Sequence, residues 1–240
     1  MNDVFFCVSG MPQVLPLLRS RGIPAVEEPR ADVTHLLLPV PLFDTEHLES
    51  LLHALPRNVT VLGGKLSHPL LETYKKFDFL QDEYYLAQNA ALTAEAALRL
   101  AGNQLPVRFL ELRVLIIGWG RIGKCLAQQL QQLGAQVCVA ARKERDRAMI
   151  ASLGCDALTL EQLPRSLDRC RVIFNTVPAP VLQAEVCPPD CIRIDLASVR
   201  GIEGENVIHA RGLPGKLLPE AQAELIVETA LRLLGKEDTQ

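Results

Sequence analysis

The sequence has no surplus of basic charge. Lys and Arg number 25 against 28 Asp and Glu, a formal net charge of −3 over 240 residues. A nucleic-acid surface, which shows as a clustered basic excess, is argued against on that count. No apolar run approaches the ~20 residues that cross a bilayer. The first residues, Met1-Asn2-Asp3-Val4-Phe5-Phe6-Cys7, carry no basic segment and too short an apolar one for a secretory signal. A cytoplasmic location is expected. Cys-x-x-Cys pairs, zinc-type His and Cys spacing and Gly-x-Ser-x-Gly are all missing, so a metal site and nucleophile-elbow hydrolysis find no support. The seven cysteines are odd in number, and most sit in apolar runs. They are expected to be buried, reduced thiols.

What is present is an ordinary globular composition, 48% apolar and 22% charged, which excludes disorder over most of the length. One large or two small domains fit. Short apolar runs alternate with helical patterns, the pattern of an α/β chain with a mainly parallel sheet. Strands are expected at 4–8, 34–40 and 58–62, with an edge strand at 77–80. Helices are expected at 12–20, from an Asp44 or Thr45 cap to His53, and at 70–75. A long helix over 82–101, stopped by Gly102-Asn103 and Pro106, would connect this smaller N-terminal unit (1–101) to a second one. The second unit (110–215) has strands at 112–117, 136–141, 171–175, 191–196 and 206–210, with helices at 121–133 and 142–153. A C-terminal helix and tail occupy 216–240, with Leu225, Ile226, Thr229 and Leu233 along one helical face.

Gly118-Trp119-Gly120-Arg121-Ile122-Gly123 matches G-x-G-x-x-G in the required setting, at the end of an apolar strand and the start of a helix. Gly118 permits the tight turn, Gly120 lets a pyrophosphate approach the backbone, and Gly123 lets the helix pack close to the sheet. The helix start, at Arg121 and Ile122, offers N–H groups to phosphate. A dinucleotide site is expected. Its second strand ends Ala140-Ala141-Arg142-Lys143, with no carboxylate at the tip for a ribose 2′-OH. Arginine can grip a 2′-phosphate instead, so NADP(H) is favoured over NAD(H). Glu144 would enter the same position if the strand ended one residue later. Asn175-Thr176-Val177-Pro178 and Ala197, in Asp195-Leu196-Ala197-Ser198, stand where loops lie across a cofactor. Asp195 is either a site carboxylate or a structural hydrogen-bonder. Gly212-Leu213-Pro214-Gly215 forms a turn that either aims N–H groups at an anion or serves only as a turn.

In combination these pieces resemble the dipicolinate synthase family, in its Rossmann-type subunit. The resemblance runs from about Asp82 to the C-terminus. It rests on Asp82-Glu83, Asn89, Thr93-Ala94-Glu95, Gly118 to Gly123, Gly134-Ala135 through Ala141-Arg142, Asn175 to Pro178, Asp195 to Ser198, and Gly212 to Gly215. It implies a Rossmann-type doubly wound parallel sheet and an oxidoreductase. With the flavoprotein subunit of dipicolinate synthase, that oxidoreductase would make pyridine-2,6-dicarboxylate from a dihydro- or hydroxytetrahydrodipicolinate precursor, in the mother-cell cytoplasm of a sporulating bacterium. The N-terminal unit is short relative to the family, and Val199-Arg200-Gly201 stands where the family has Arg-Pro-Gly-Gly.

A small dicarboxylate substrate would need cations and N–H groups; Arg200, Lys216 and the backbone of Leu213 to Lys216 are the candidates. Thr93 and Glu95 would face the cleft between the units, with Glu95 as acid–base group if burial favours its protonated form. A structural partnership for Glu95 is the equal alternative. Lys65 and His68 are lesser candidates. A 2-hydroxyacid dehydrogenase would need a histidine with an acidic partner and an arginine, and the sequence neighbours of His209 supply no clear pair. Two other readings share the cofactor features: an NADP(H) sensor or partner-positioning module, and an oxidoreductase on another small cyclic imine or keto acid. A helical α/β surface also suits a homo-oligomer.

Overall fold

The computed structural model describes residues 4–42 and 44–235; the expected tail beyond Gly235 lies outside them. In chain order the elements are β1 (Phe6–Val8), α1 (Val14–Ser20), β2 (Ala25–Val26), β3 (His35–Leu37), α2 (Leu48–His53), β4 (Thr60–Gly63), β5 (Lys76–Asp78) and α3 (Glu83–Gln104). They continue with β6 (Arg113–Ile117), α4 (Arg121–Gln132), β7 (Gln136–Ala140), α5 (Glu144–Ser152), β8 (Asp156–Leu158), α6 (Leu163–Ser166) and β9 (Val172–Asn175). The rest are β10 (Leu182–Gln183), β11 (Ile192–Asp195), β12 (Ile202–Glu203), β13 (Val207–His209), α7 (Leu213–Leu217) and α8 (Pro219–Gly235).

The chain forms two compact units. One comprises residues up to Asn89 together with those from Pro219 onward, and the other runs from Ala90 to Leu218. The division differs from the sequence expectation at both ends. It falls inside α3 rather than at 102–110, and α8 returns to the first unit. There α8 packs on α1. Its Gln222 Nε2 donates to the Tyr85 hydroxyl at 3.1 Å, and Arg232 pairs with Asp82. A sequence read in order has no means of seeing that closure.

The first unit holds a sheet in the order β2-β1-β3-β4-β5, every pairing parallel. Its core joins Cys7, Leu36, Leu38 and Val61 of the sheet region to Leu48 and Leu52 of α2. Three local expectations change here. Helix α2 begins at Leu48 with His47 at its N-cap, because the Asp44 carboxylate accepts from the Glu46 N–H and turns the chain one step earlier. The helix expected at 70–75 is a single 3₁₀ turn, Pro69–Leu71, with only Leu71 buried, too little apolar surface to hold a longer helix. The two-residue strand β2 is too short to leave a periodic signal.

Helix α3 passes through Gly102-Asn103. An interior glycine costs about 1 kcal/mol against alanine. The burial of Ala94, Ala96, Ala97 and Ala101 along the preceding turns outweighs that. Pro106 then forbids further continuation.

The second unit carries a six-stranded sheet in the order β13-β11-β9-β6-β7-β8, again parallel throughout. In order of appearance that is 6-5-4-1-2-3, the doubly wound dinucleotide-binding topology, with its switch point between β6 and β9. Its strands read as unbroken apolar runs because both faces are covered. Leu115, Ile117, Cys138, Ala140 and Ile173 form the core with Leu163 and Leu167. The small pair β10–β12, missed in the sequence, braces the loop after β9.

Candidate active site

Strand β6 ends at Ile117 and the chain turns at Gly118, whose φ of +106° favours glycine. A Cβ there would also strike the Thr176 hydroxyl. Its N–H donates to the Ala140 carbonyl at 2.9 Å, which ties the turn to the end of β7. A Cβ on Gly123 would run into the Gly118 carbonyl oxygen, so α4 lies directly against the turn. Gly120 differs from both: its φ of −79° suits any residue, and nothing lies within 4 Å of where a Cβ would stand. Two of the glycines are therefore required by the protein's own packing. The third faces open space, at the N-terminus of a twelve-residue helix that no side chain caps. That arrangement fits a pyrophosphate against the N–H groups of Arg121, Ile122 and Gly123.

At β7 the ladder runs on to Ala141, whose N–H donates to the Leu158 carbonyl at 3.0 Å. Arg142 and Lys143 follow, both exposed, and Glu144 is already the first residue of α5. Arg147 was not anticipated: its guanidinium donates to the carbonyls of Ala141 (3.0 Å) and Arg142 (2.8 Å) and fixes the strand tip from the next helix.

The loop after β9 does something other than expected. Asn175 is fully buried. Its Nδ2 donates to the Val177 carbonyl at 3.0 Å and to Asp195 Oδ1 at 2.8 Å, while its Oδ1 accepts from the Val177 N–H at 3.0 Å. Thr176 Oγ1 donates to the Ile117 carbonyl at 3.0 Å. Both side-chain N–H donors of Asn175 are spent within the protein, one on the loop at Val177 and one on Asp195 at the end of β11, so neither is left for a cofactor. Of that segment, Pro178 is exposed and Val177 half-buried.

Asp195, the last residue of β11, is a hub. Oδ1 accepts from Asn175 and from the Ala197 N–H (3.1 Å), and Oδ2 from the N–H groups of Gly201 (2.7 Å) and Ile202 (3.1 Å). Of the two roles left open for it, hydrogen-bonding is the one these contacts describe. It also has a second neighbour. His209, the last residue of β13, places Nδ1 3.8 Å from Asp195 Oδ2. The sequence neighbours of His209 offered no such partner. The two residues are fourteen apart but directly opposite in the β11–β13 register, a proximity only the parallel pairing creates. Asp195, Ala197, Arg200, His209, Arg211 and Lys216 together line a cavity of about 250 Å³ at the carboxyl ends of these strands. Lys216 and Ala197, expected in the site, are there; Arg211 was missed. Leu213 and Pro214 are buried at the start of the five-residue α7, and Pro214 has no N–H to offer.

Glu95 sits elsewhere. It is half-exposed and accepts from Arg99 at 2.8 Å, one helical turn on, so the desolvation an acid–base role would require is missing. Thr93, two residues earlier, is buried. In the first unit, Lys65 follows β4 with φ of +61°, its N–H and that of Leu66 held by the Asp78 carboxylate. His68 caps the 3₁₀ turn, Nδ1 accepting from the Leu70 N–H. Among the described residues, no group of His, Cys, Asp and Glu is placed to hold a metal ion, and no helix is long and apolar enough to cross a membrane.

Comparison with known proteins agrees with this geometry. Residues 88–182 match the model of the D-isomer specific 2-hydroxyacid dehydrogenase NAD binding domain. That stretch of the second unit is thus similar to a nicotinamide-dinucleotide-binding domain of dehydrogenases. Over the whole chain, the fold is that of two solved dipicolinate synthase structures. The Bacillus halodurans protein superimposes with a TM-score of 0.78 at 22% identity, covering 96% of each chain. The Bacillus subtilis protein gives 0.79 at 20% identity, covering 100% of this chain and 98% of that one. A glutamyl-tRNA reductase of Alcanivorax borkumensis is 26% identical over 123 residues, half of this chain and 29% of the reductase. The chain therefore spans under a third of that relative's length.

Proposed function

We propose that the chain is an NADP-linked oxidoreductase that withdraws a hydride from a small cyclic dicarboxylate precursor to give pyridine-2,6-dicarboxylate. One observation carries this. The carboxyl edge of a single sheet has a dinucleotide turn at its switch point, an arginine and no carboxylate at the tip of β7 on one side, and a cavity with three permanent cations at the ends of β11 and β13 on the other. A dinucleotide crossing the switch point with its adenosine half over β7 would leave its nicotinamide half toward β9 and β11. Arg142 and Lys143 would hold the 2′-phosphate. Arg200, Arg211 and Lys216 would hold substrate carboxylates beside the nicotinamide. Bound nicotinamide would accept the hydride at C4, and the proton leaving the ring would pass to water or to a cavity base. The substrate assignment follows the sequence resemblance to the dipicolinate synthase family, and the flavoprotein partner and the sporulating mother cell are part of the same proposal.

The pairing of His209 with Asp195 beside two arginines favours a second reading, hydride exchange with a small 2-keto or 2-hydroxy acid. Turnover separates the two. The chain would be mixed with freshly made dihydrodipicolinate and NADP⁺, with and without the partner flavoprotein, and product followed by its ultraviolet absorbance. Product appearing in step with NADPH supports the first reading. No product, with NADPH oxidised by a 2-keto acid instead, supports the second. Arg142→Ala should weaken NADPH by about 1.5–3 kcal/mol, the worth of charge-assisted hydrogen bonds, and leave NADH nearly unchanged. Equal losses for both would remove the 2′-phosphate assignment.

A further inference from the structure

The cavity at the ends of β11 and β13 contains a group whose charge depends on pH. Three of its lining residues, Arg200, Arg211 and Lys216, are cations at any physiological pH. The one carboxylate, Asp195, cannot turn to neutralise them. It is buried and held by four N–H donors, from Asn175, Ala197, Gly201 and Ile202. His209 lines the same cavity. Its side chain is one-third exposed, and its Nδ1 is 3.8 Å from Asp195 Oδ2, beyond hydrogen-bond length but within ion-pair reach. We propose that this cavity is a proton-coupled binding site for a small oxyanion, in which anion binding and the charge on His209 favour each other.

The charges around His209 make the coupling. Asp195 on β11 favours the imidazolium. Arg200 after β11, Arg211 two residues beyond His209, and Lys216 on α7 oppose it. Arg193, two residues before Asp195, donates to the carbonyls of Asn206 and Ala184 and lines no part of the cavity. An oxyanion entering among the three permanent cations cancels their repulsion toward the imidazole and adds an attraction of its own. Anion uptake then draws in a proton, and by reciprocity a protonated His209 binds the anion more tightly. The sign follows: affinity is highest on the acid side of the imidazole titration and falls as pH rises through it. A volume of about 250 Å³ suits one ring or a short chain, below the size of pockets that enclose larger ligands. For the identity of the anion, a carboxylate, this inference rests on the functional reading above; the proton coupling does not.

Calorimetric titration of the full chain tests it, with two probes, sulfate and pyridine-2,6-dicarboxylate. Each is measured at pH values of about 6 and about 8.5, which bracket the ordinary imidazole range, in two buffers of different ionisation heat. Both probes stay essentially dianionic there, so any proton taken up belongs to the protein. Both should bind about ten-fold more tightly at the lower pH, as expected for one added charge at close range. Uptake should peak at about half a proton per anion between the two pH values, the maximum that a ten-fold coupling allows. His209→Gln should reduce the pH dependence to within about two-fold. Arg211→Gln should weaken both probes at both pH values and keep the pH dependence. Equal affinity at the two pH values, or a His209→Gln protein that keeps the full dependence, overturns the proposal. If that variant fails to fold, the buffer-dependent heats of the native chain still count the protons. Sulfate binding with proton uptake while pyridine-2,6-dicarboxylate fails to bind would uphold the coupled site and remove the substrate reading.

Discussion

At the scale of single residues, Asp195 joins three chain segments. Its two oxygens take N–H groups from Asn175 at the end of β9, from its own turn, and from the Gly201-Ile202 segment that leads into β12. Truncating it leaves several buried donors without acceptors, each at a cost of about 1–3 kcal/mol when unrelieved. Asp195→Ala should therefore lower unfolding stability by about 3–5 kcal/mol, the range for breaking a buried charged network. Asp195→Asn should be little better, because its NH₂ group would face N–H donors. Asn175→Ala should cost about 1–3 kcal/mol. The double variant should lose clearly less than the sum, since the two residues share a bond. Urea unfolding of the four proteins measures this, and strict additivity would show that they do not act together. The same anchoring gives His209 its fixed counter-charge, so Asp195 acts on the cavity as a positioning residue.

At the scale of elements, the strand–turn–helix from Arg113 to Gln132 separates folding from binding among three glycines. Gly118→Ala and Gly123→Ala should both destabilise the unit, the first through its left-handed φ and both through direct collision. Gly120→Ala should change stability by less than about 0.5 kcal/mol, because the added methyl meets no protein atom. It should still weaken dinucleotide binding at least ten-fold by occupying the pyrophosphate's approach. Thermal melts with and without NADPH check the set, and a Gly120→Ala protein that keeps full affinity would show that the dinucleotide lies elsewhere. Much of this element was legible in the sequence, because apolar strand, glycine spacing and helix start are contiguous in the chain. The cavity was only half legible. Lys216 and Arg200 could be picked out as cations near turns, but the His209–Asp195 pair exists through strand register, which no local pattern encodes. Glu95 misled for the converse reason: its motif matched, while its carboxylate is taken by Arg99 one turn away. The stop expected at Gly102 failed because a weak local penalty met a strongly buried alanine row.

Across the whole molecule, the cysteines tie stability to alkaline pH. All seven are unbridged and six are buried, with Cys125 intermediate. Burial pushes the Cys7 thiol up to about 11 and those of Cys138 and Cys191 to about 12. It likewise raises the Tyr85 hydroxyl to about 12. In the unfolded chain each thiol would ionise near the ordinary value of about 8.5. A group whose folded value is raised lends stability that is whole below the unfolded value and is lost as pH climbs toward the folded one. Stability should thus hold to about pH 8, then fall continuously between about pH 9 and 11 as the unfolded state releases thiol protons that the folded state retains. Two measurements decide it. The melting temperature should drop across that window, and thiolate ultraviolet absorbance should rise only where the far-ultraviolet circular dichroism is also lost. Thiolate signal appearing at about pH 9 in a still-folded protein, beyond the amount one accessible cysteine supplies, would mean that the thiols lie open to solvent. The core of the second unit, where Cys138, Cys170, Cys187 and Cys191 pack among Leu115, Ile117 and Ile173, would then be looser than its burial implies.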